Sequence, residues 1–117
     1  MERVAAEAFV RRWVSAWNDR DLEGVLAHYS DDVVVYSPRI RAVTGVEEAS
    51  VRGKPALRAY WSAAMEASRE LFFEPEMIYL GADSLTLTYT NHRSQSVCET
   101  FVFGGDGRVR LAVVAYA

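Results

Sequence analysis

Apolar residues recur at helical spacing up to about residue 70 and alternate with polar ones beyond it. Ala6, Phe9, Val10, Trp13, Val14 and Trp17 fall on one stripe, with Glu7, Arg11 and Ser15 elsewhere on the wheel. This predicts an amphipathic helix ending near Asn18. Asp21 is a suitable N-cap for a short second helix, in which Leu22, Val25, Leu26 and Tyr29 repeat at i, i+3, i+4 and i+7. Ser30, Asp31 and Asp32 are expected to stop it. Val33 to Ser37 reads as a β-branched strand, closed by Pro38, which has no N–H for a ladder.

Residues 39–52 have no clean period and predict a long loop or a ragged edge strand. A third helix is expected from Gly53-Lys54-Pro55, with Pro in the first turn where a missing N–H costs nothing. Its stripe is Leu57, Tyr60, Trp61, Ala64 and Met65. Four strands follow, 72–80, 84–92, 96–103 and 109–116, separated by turns at 81–83, 93–95 and 104–107. Connections this short force antiparallel neighbours. The order predicts a single α+β domain over residues 1–117, with three helices from the N-terminal half on one face of a curved, mostly antiparallel sheet.

Alternation divides the last strands into two faces. Leu85, Leu87, Tyr89 and Asn91 share one side, with Val97, Glu99, Phe101 and Phe103 and then Ala112, Val114 and Tyr116. The large aromatics mark this as the side that meets the helices. Thr86, Thr88, Thr90, His92, Cys98, Thr100, Val102, Val109, Leu111, Val113 and Ala115 are expected on the other. An outer face this rich in Val, Leu and Thr calls for a cover, and a second copy of the chain is the expected one. The alternative is a Thr-rich face that is soluble unaided.

Composition narrows the function. A chain of 117 residues buries roughly two thirds of its unfolded surface, enough for a core without staples. The single Cys98 excludes a disulfide framework. Thirteen basic residues against 16 acidic ones leave a net charge of −3, which speaks against nucleic acid as a partner. No apolar run reaches the roughly 20 residues of a membrane span, and the N-terminus lacks a signal-peptide core, so no membrane partner and a cytoplasmic location are expected. All but one of the basic residues are Arg, as GC-rich bacterial genomes favour.

The segments Arg12-Trp13-Val14-Ser15-Ala16-Trp17-Asn18, Asp21-Leu22-Glu23-Gly24-Val25 and Tyr29 to Pro38 resemble the start of a nuclear transport factor 2-like domain. With Arg52-Gly53-Lys54-Pro55 and Asp106-Gly107-Arg108-Val109, the whole chain is similar to the SnoaL-like branch, which includes polyketide cyclases and ketosteroid isomerases. The resemblance implies a cone-shaped α+β barrel of the cystatin-like type. It also implies dimers through the outer sheet face and a pocket between helices and inner face. Enzymes and non-catalytic domains share this fold, so function rests on the pocket. Ketosteroid isomerase places there a Tyr on the first helix, a carboxylate base at the end of the first strand and a neutral carboxylic acid on a late strand. The matching positions carry Trp13, Ser37 and Glu99. Trp13 cannot titrate and Ser37 has no base to take its proton, so that isomerase mechanism is not supported.

The remaining candidates describe a small-molecule pocket. Trp13, Trp17, Trp61, Leu87, Tyr89, Phe101, Val114 and Tyr116 would form apolar walls, with Ser37, Asn91 and Glu99 as convergent polar groups. Glu99 is either a rim carboxylate paired with Arg110 or a buried acid of raised pKa suited to acid/base catalysis. Arg39 and Arg41 could rim the mouth, His92 is expected on the outer face, and His28 is expected to be exposed. His92, Cys98 and Glu99 lack metal-ligand spacing, and no motif calls for a cofactor. Two readings follow: a protein that binds a small apolar ligand, with or without acid/base chemistry, and a non-catalytic dimerisation or ligand-sensing domain whose tryptophans fill its own pocket.

Overall fold

The N-terminal stripe forms α1, Arg3–Asn18, in a computed structural model that describes residues 1–117. All six stripe residues, from Ala6 to Trp17, are buried. The short helix α2, Leu22–Leu26, is capped by Asp21, whose side chain accepts from the Gly24 N–H at 3.0 Å. Such a cap contributes about 1 kcal/mol.

Tyr29 departs from the expected pattern. It opens strand β1, Tyr29–Tyr36, and is fully buried. Ser30, Asp31 and Asp32 therefore lie within the strand instead of stopping a helix. A register shift between Tyr29 and Val34 sets these polar residues off from the regular ladder, and Ser30 Oγ donates to the Val109 carbonyl at 3.1 Å.

The region expected as a loop contains α3, Arg39–Thr44, and strand β2, Ser50–Arg52. Each buries one residue, Ile40 and Val51, which is too little to leave a period in the sequence. The turn from β2 into the next helix needs Gly53 at φ 84°, a conformation costly for a residue with a Cβ. Helix α4, Lys54–Ala67, then buries Leu57, Tyr60, Trp61 and Met65. Arg20 donates to the Met65 carbonyl and, at 3.1 and 3.3 Å, to those of Ser68 and Arg69. A cation thus sits at the negative end of α4.

Strands β3, Glu74–Leu80, β4, Ser84–Thr90, β5, Ser96–Phe103, and β6, Val109–Tyr116, complete one sheet of order β2-β1-β6-β5-β4-β3. The β1·β6 pair is parallel and every other pair antiparallel. β2 and β3 remain as edges, so this α+β fold has four helices against an open sheet, not a closed barrel.

Burial along β4 and β5 follows the expected alternation: Leu85, Leu87 and Tyr89, then Val97, Glu99 and Phe101, point into the core. The opposite side presents a register-aligned row, Tyr36, Val113, Thr100, Thr86 and Tyr79, across five strands. Val109 was expected in that outer set but is fully buried. A register shift between Val102 and Phe103 inverts the alternation there. No helix is long and apolar enough to cross a membrane.

Candidate functional site

Between α1, α4 and the sheet lies a cavity with about 100 Å³ open to the centres of water-sized molecules. One water needs only about 10–15 Å³ of such space. Trp13 and Trp17 line it from α1, Tyr60 and Trp61 from α4, and Tyr89, Glu99, Val114 and Tyr116 from the sheet. The aromatic walls brace one another. Trp13 stacks on Phe73 at 5.6 Å and 18°, while Trp17 meets Trp61 edge-on at 5.1 Å. Contacts of this kind contribute about 0.5–1.5 kcal/mol each beyond burial.

Phe73 reaches this position through Asn18, the last residue of α1. Asn18 Nδ2 donates to the Phe73 carbonyl at 3.0 Å, and its Oδ1 accepts from the Phe73 N–H at 2.8 Å. The amide ties the approach to β3 onto the end of α1 and presents the ring to Trp13, Trp17 and Tyr89.

Glu99 is 4 % exposed and belongs to the cavity lining. The Tyr89 hydroxyl donates to its Oε1 at 3.0 Å. Burial pushes the Glu99 pKa up to about 8, and the Tyr89 hydrogen bond pulls it back only in part. The carboxyl is therefore mainly neutral at pH 7, able to donate from one oxygen and accept at the other. The expected rim pairing with Arg110 does not form. Arg110 is exposed, and Glu99 stands in register with Val114 and Leu87. The chain's single ion pair joins Arg58 and Glu23 at 2.9 Å on the surface.

The other polar groups divide into satisfied and orphaned. Trp13 Nε1 donates to the Tyr29 hydroxyl at 2.9 Å, inside the core. Ser37, 5 % exposed, accepts the Arg39 N–H at 3.2 Å. Burial raises the Tyr60 pKa to about 12, with the Ser37 side chain pulling it the other way. Tyr29 and Tyr89 are also lifted well above the usual phenol range, first by burial and then by Glu99. Two buried ring nitrogens, Trp17 Nε1 and His92 Nδ1, have no partner at all.

Three placements differ from expectation. Leu87 and Phe101 do not line the cavity. Both are fully buried core residues, and Phe101 is covered edge-on by Phe9 and Trp13 at 5.0 and 5.2 Å. His92, expected outside, lines the cavity because β4 ends at Thr90 and its alternation ends with it. Asn91 lines the cavity too, but its side chain is spent on the turn. Its Oδ1 accepts from Arg93 and Gln95 N–H, and its Nδ2 donates to Gln95 Oε1 at 2.9 Å.

His28 is half-buried, edge-on to Phe9 at 5.1 Å. Of the two arginines expected at the mouth, both of which lie on α3, Arg39 lines the cavity and Arg41 does not. Arg41 turns away to donate to the Glu47 carbonyl. Sequence reasoning missed Tyr60, Phe73 and Arg93 as lining residues. Tyr60 shares the α4 stripe with Trp61 and was visible there, whereas nothing local marks Phe73 or Arg93. No three His, Cys, Asp or Glu side chains gather into a metal site.

The SnoaL-like domain model matches residues 10–116. A SnoaL-like protein of unknown function from Burkholderia thailandensis superposes with a TM-score of 0.92 at 35% identity, over 100% of this chain and 98% of that one. A putative polyketide cyclase from Sinorhizobium meliloti shares the fold at 18% identity and a TM-score of 0.78, over 98% and 100%. A Mycobacterium tuberculosis protein in complex with estradiol-17β-hemisuccinate does so at 20% and 0.77, over 97% and 94%. No curated protein matches by sequence. With a family model across nearly its whole length and a full-length structural counterpart at 35% identity, the chain belongs to the SnoaL-like family.

Proposed function

We propose that this domain binds a small, largely apolar, ring-bearing compound, and that Glu99 supplies a proton to an oxygen of that ligand in chemistry of the isomerase or cyclase kind. One observation carries the reading: the Glu99 carboxyl lies buried in the lining of an aromatic cavity without an ion-pair partner, where burial pushes its pKa up to about 8. A carboxyl in a dry core costs free energy unless it has work or full pairing, and only Oε1 is paired within the chain. The steroid ester held by the mycobacterial relative supports a ligand of this general kind.

In the acid step, the Glu99 proton passes to the ligand oxygen. The resulting carboxylate keeps the Tyr89 hydroxyl as donor and then recovers a proton from carbon or from water. The outward row of Tyr36, Val113, Thr100, Thr86 and Tyr79 supports pairing with a second copy of the chain.

A second reading, binding without catalysis, is favoured by Ser37. It stands where ketosteroid isomerases carry their base, and its hydroxyl is already engaged by the Arg39 N–H. Incubation with 1-indanone in deuterated buffer separates the two. Deuterium uptake beside the carbonyl, faster than in buffer and lost in Glu99→Gln, is the expected result. Saturable binding with no uptake selects the non-catalytic reading. Uptake undiminished in Glu99→Gln removes Glu99 from the chemistry, and no binding at all overturns the pocket itself.

A further inference from the structure

The charged side chains of the cavity wall are unevenly signed. Arg39 and Arg93 line it, and Glu99 is the only carboxyl among the lining residues. Glu99 is buried and neutral at pH 7, so it cannot neutralise them. Neither arginine has an acidic partner within the chain. Arg93 is exposed and Arg39 half-exposed, which puts both on the solvent side of the cavity. Their field reaches inward. Burial raises Tyr116; Arg39 and, more weakly, Arg93 pull it down against Glu99, and Arg39 also opposes the burial of Tyr60. The only acidic group acting on His92 is Glu70, which does not line the cavity.

A second observation points to a ligand that accepts hydrogen bonds. Trp17 is 5 % exposed, lines the cavity, and has an indole N–H that is buried without a partner. His92, beside Arg93, adds a second unpartnered ring nitrogen to the same lining. A buried donor left without a partner is costly, and an acceptor on the ligand would recover that cost. Two cations and an orphaned indole donor in one lining, with no ion-paired acid among them, describe a receptor for an anion.

We propose that the pocket selects an organic carboxylate: a ring-sized apolar body against the Trp13 and Phe73 faces, with its carboxylate held at the mouth by Arg39 and Arg93. Guanidinium groups suit this role because they meet a carboxylate with paired N–H donors and remain charged at every relevant pH. The inference rests on the pocket-binding reading above and adds the charge of the ligand to it.

Calorimetric titration with indane-2-carboxylate and its neutral amide, indane-2-carboxamide, tests it at pH 7. The carboxylate is expected to bind about tenfold more tightly than the amide, with the preference shrinking as salt is added. Arg39→Gln/Arg93→Gln should abolish the preference and leave amide binding in place. Arg41→Gln, which removes a neighbouring charge outside the lining, should leave it intact. Equal affinity for acid and amide, or a preference that survives in the double variant, overturns the carboxylate proposal and leaves the pocket reading standing. Failure of both probes to bind overturns the two together.

Discussion

Tyr89 on β4 and Glu99 on β5 are joined by a 3.0 Å hydrogen bond from the phenol to Oε1, while Oε2 accepts nothing within the chain. The two oxygens of one carboxyl therefore have different duties. One is anchored by a neighbour that is itself buried, and the other is left for whatever enters the cavity. The anchor fixes the group without ionising it, because a single neutral donor does not offset burial.

That burial makes stability depend on pH. The folded pKa of Glu99 lies near 8, above its ordinary value of 4.5. Below pH 4.5 both folded and unfolded forms hold the proton, and the full stability is present. As pH rises toward 8 the unfolded chain loses that proton while the folded one keeps it, so stability falls by up to about 1.4 kcal/mol per pH unit. Urea unfolding at pH 5, 6, 7 and 8 should show this decline in the parent protein and a flatter profile in Glu99→Gln. His28 and His92 have lowered pKa values and act in the opposite direction, at the acid end, so the interval from pH 7 to 8 belongs to Glu99. Parallel profiles for parent and variant would contradict the buried neutral acid.

Two tryptophans on the same helix should respond differently to the same substitution. Trp13→Phe removes the donor to Tyr29 and strands that hydroxyl in a fully buried site, whereas Trp17→Phe removes an indole N–H that bonds to nothing. Both lose similar ring volume. Trp13→Phe should therefore cost more, by about 1–3 kcal/mol in urea unfolding. Equal losses would mean that the Trp13–Tyr29 hydrogen bond contributes nothing measurable.

The outward row of the sheet predicts an assembly. Val113, between Tyr36 and Thr100 in that row, is 42 % exposed, with Tyr79, 56 % exposed, at the β3 end. Sedimentation should find the parent as a dimer and Val113→Glu as a monomer with unchanged circular dichroism. A monomeric parent at micromolar concentration would remove this interface.

The elements that could be read from the sequence are those long enough to repeat. α1, α4, β4 and β5 each bury three or more residues at a steady period, and their inward sides follow from it. α3 and β2 each bury a single residue and leave no such trace. Tyr29 fits the i+7 position of a helical stripe, but it opens a strand because it pairs with Val109 across the sheet. Val109 and His92 lie where a register shift and a turn interrupt alternation, so counting by twos places them on the wrong face. In the cavity, Trp13, Trp17, Trp61, Tyr89 and Glu99 occupy inward positions of regular elements. Phe73 does not. Its place depends on Asn18, a residue 55 positions earlier, and no local pattern encodes such a tie.

The grip of Asn18 on residue 73 involves only main-chain atoms at that position. The tie is therefore indifferent to the side chain it presents. A change at position 73 can reshape the wall opposite Trp13 while the backbone that carries it stays docked to α1. Within this fold the position works as an exchangeable fitting on a fixed mount: a new side chain gives up the ring contacts of Phe73 but not the backbone tie, so the wall can be recut for differently shaped rings.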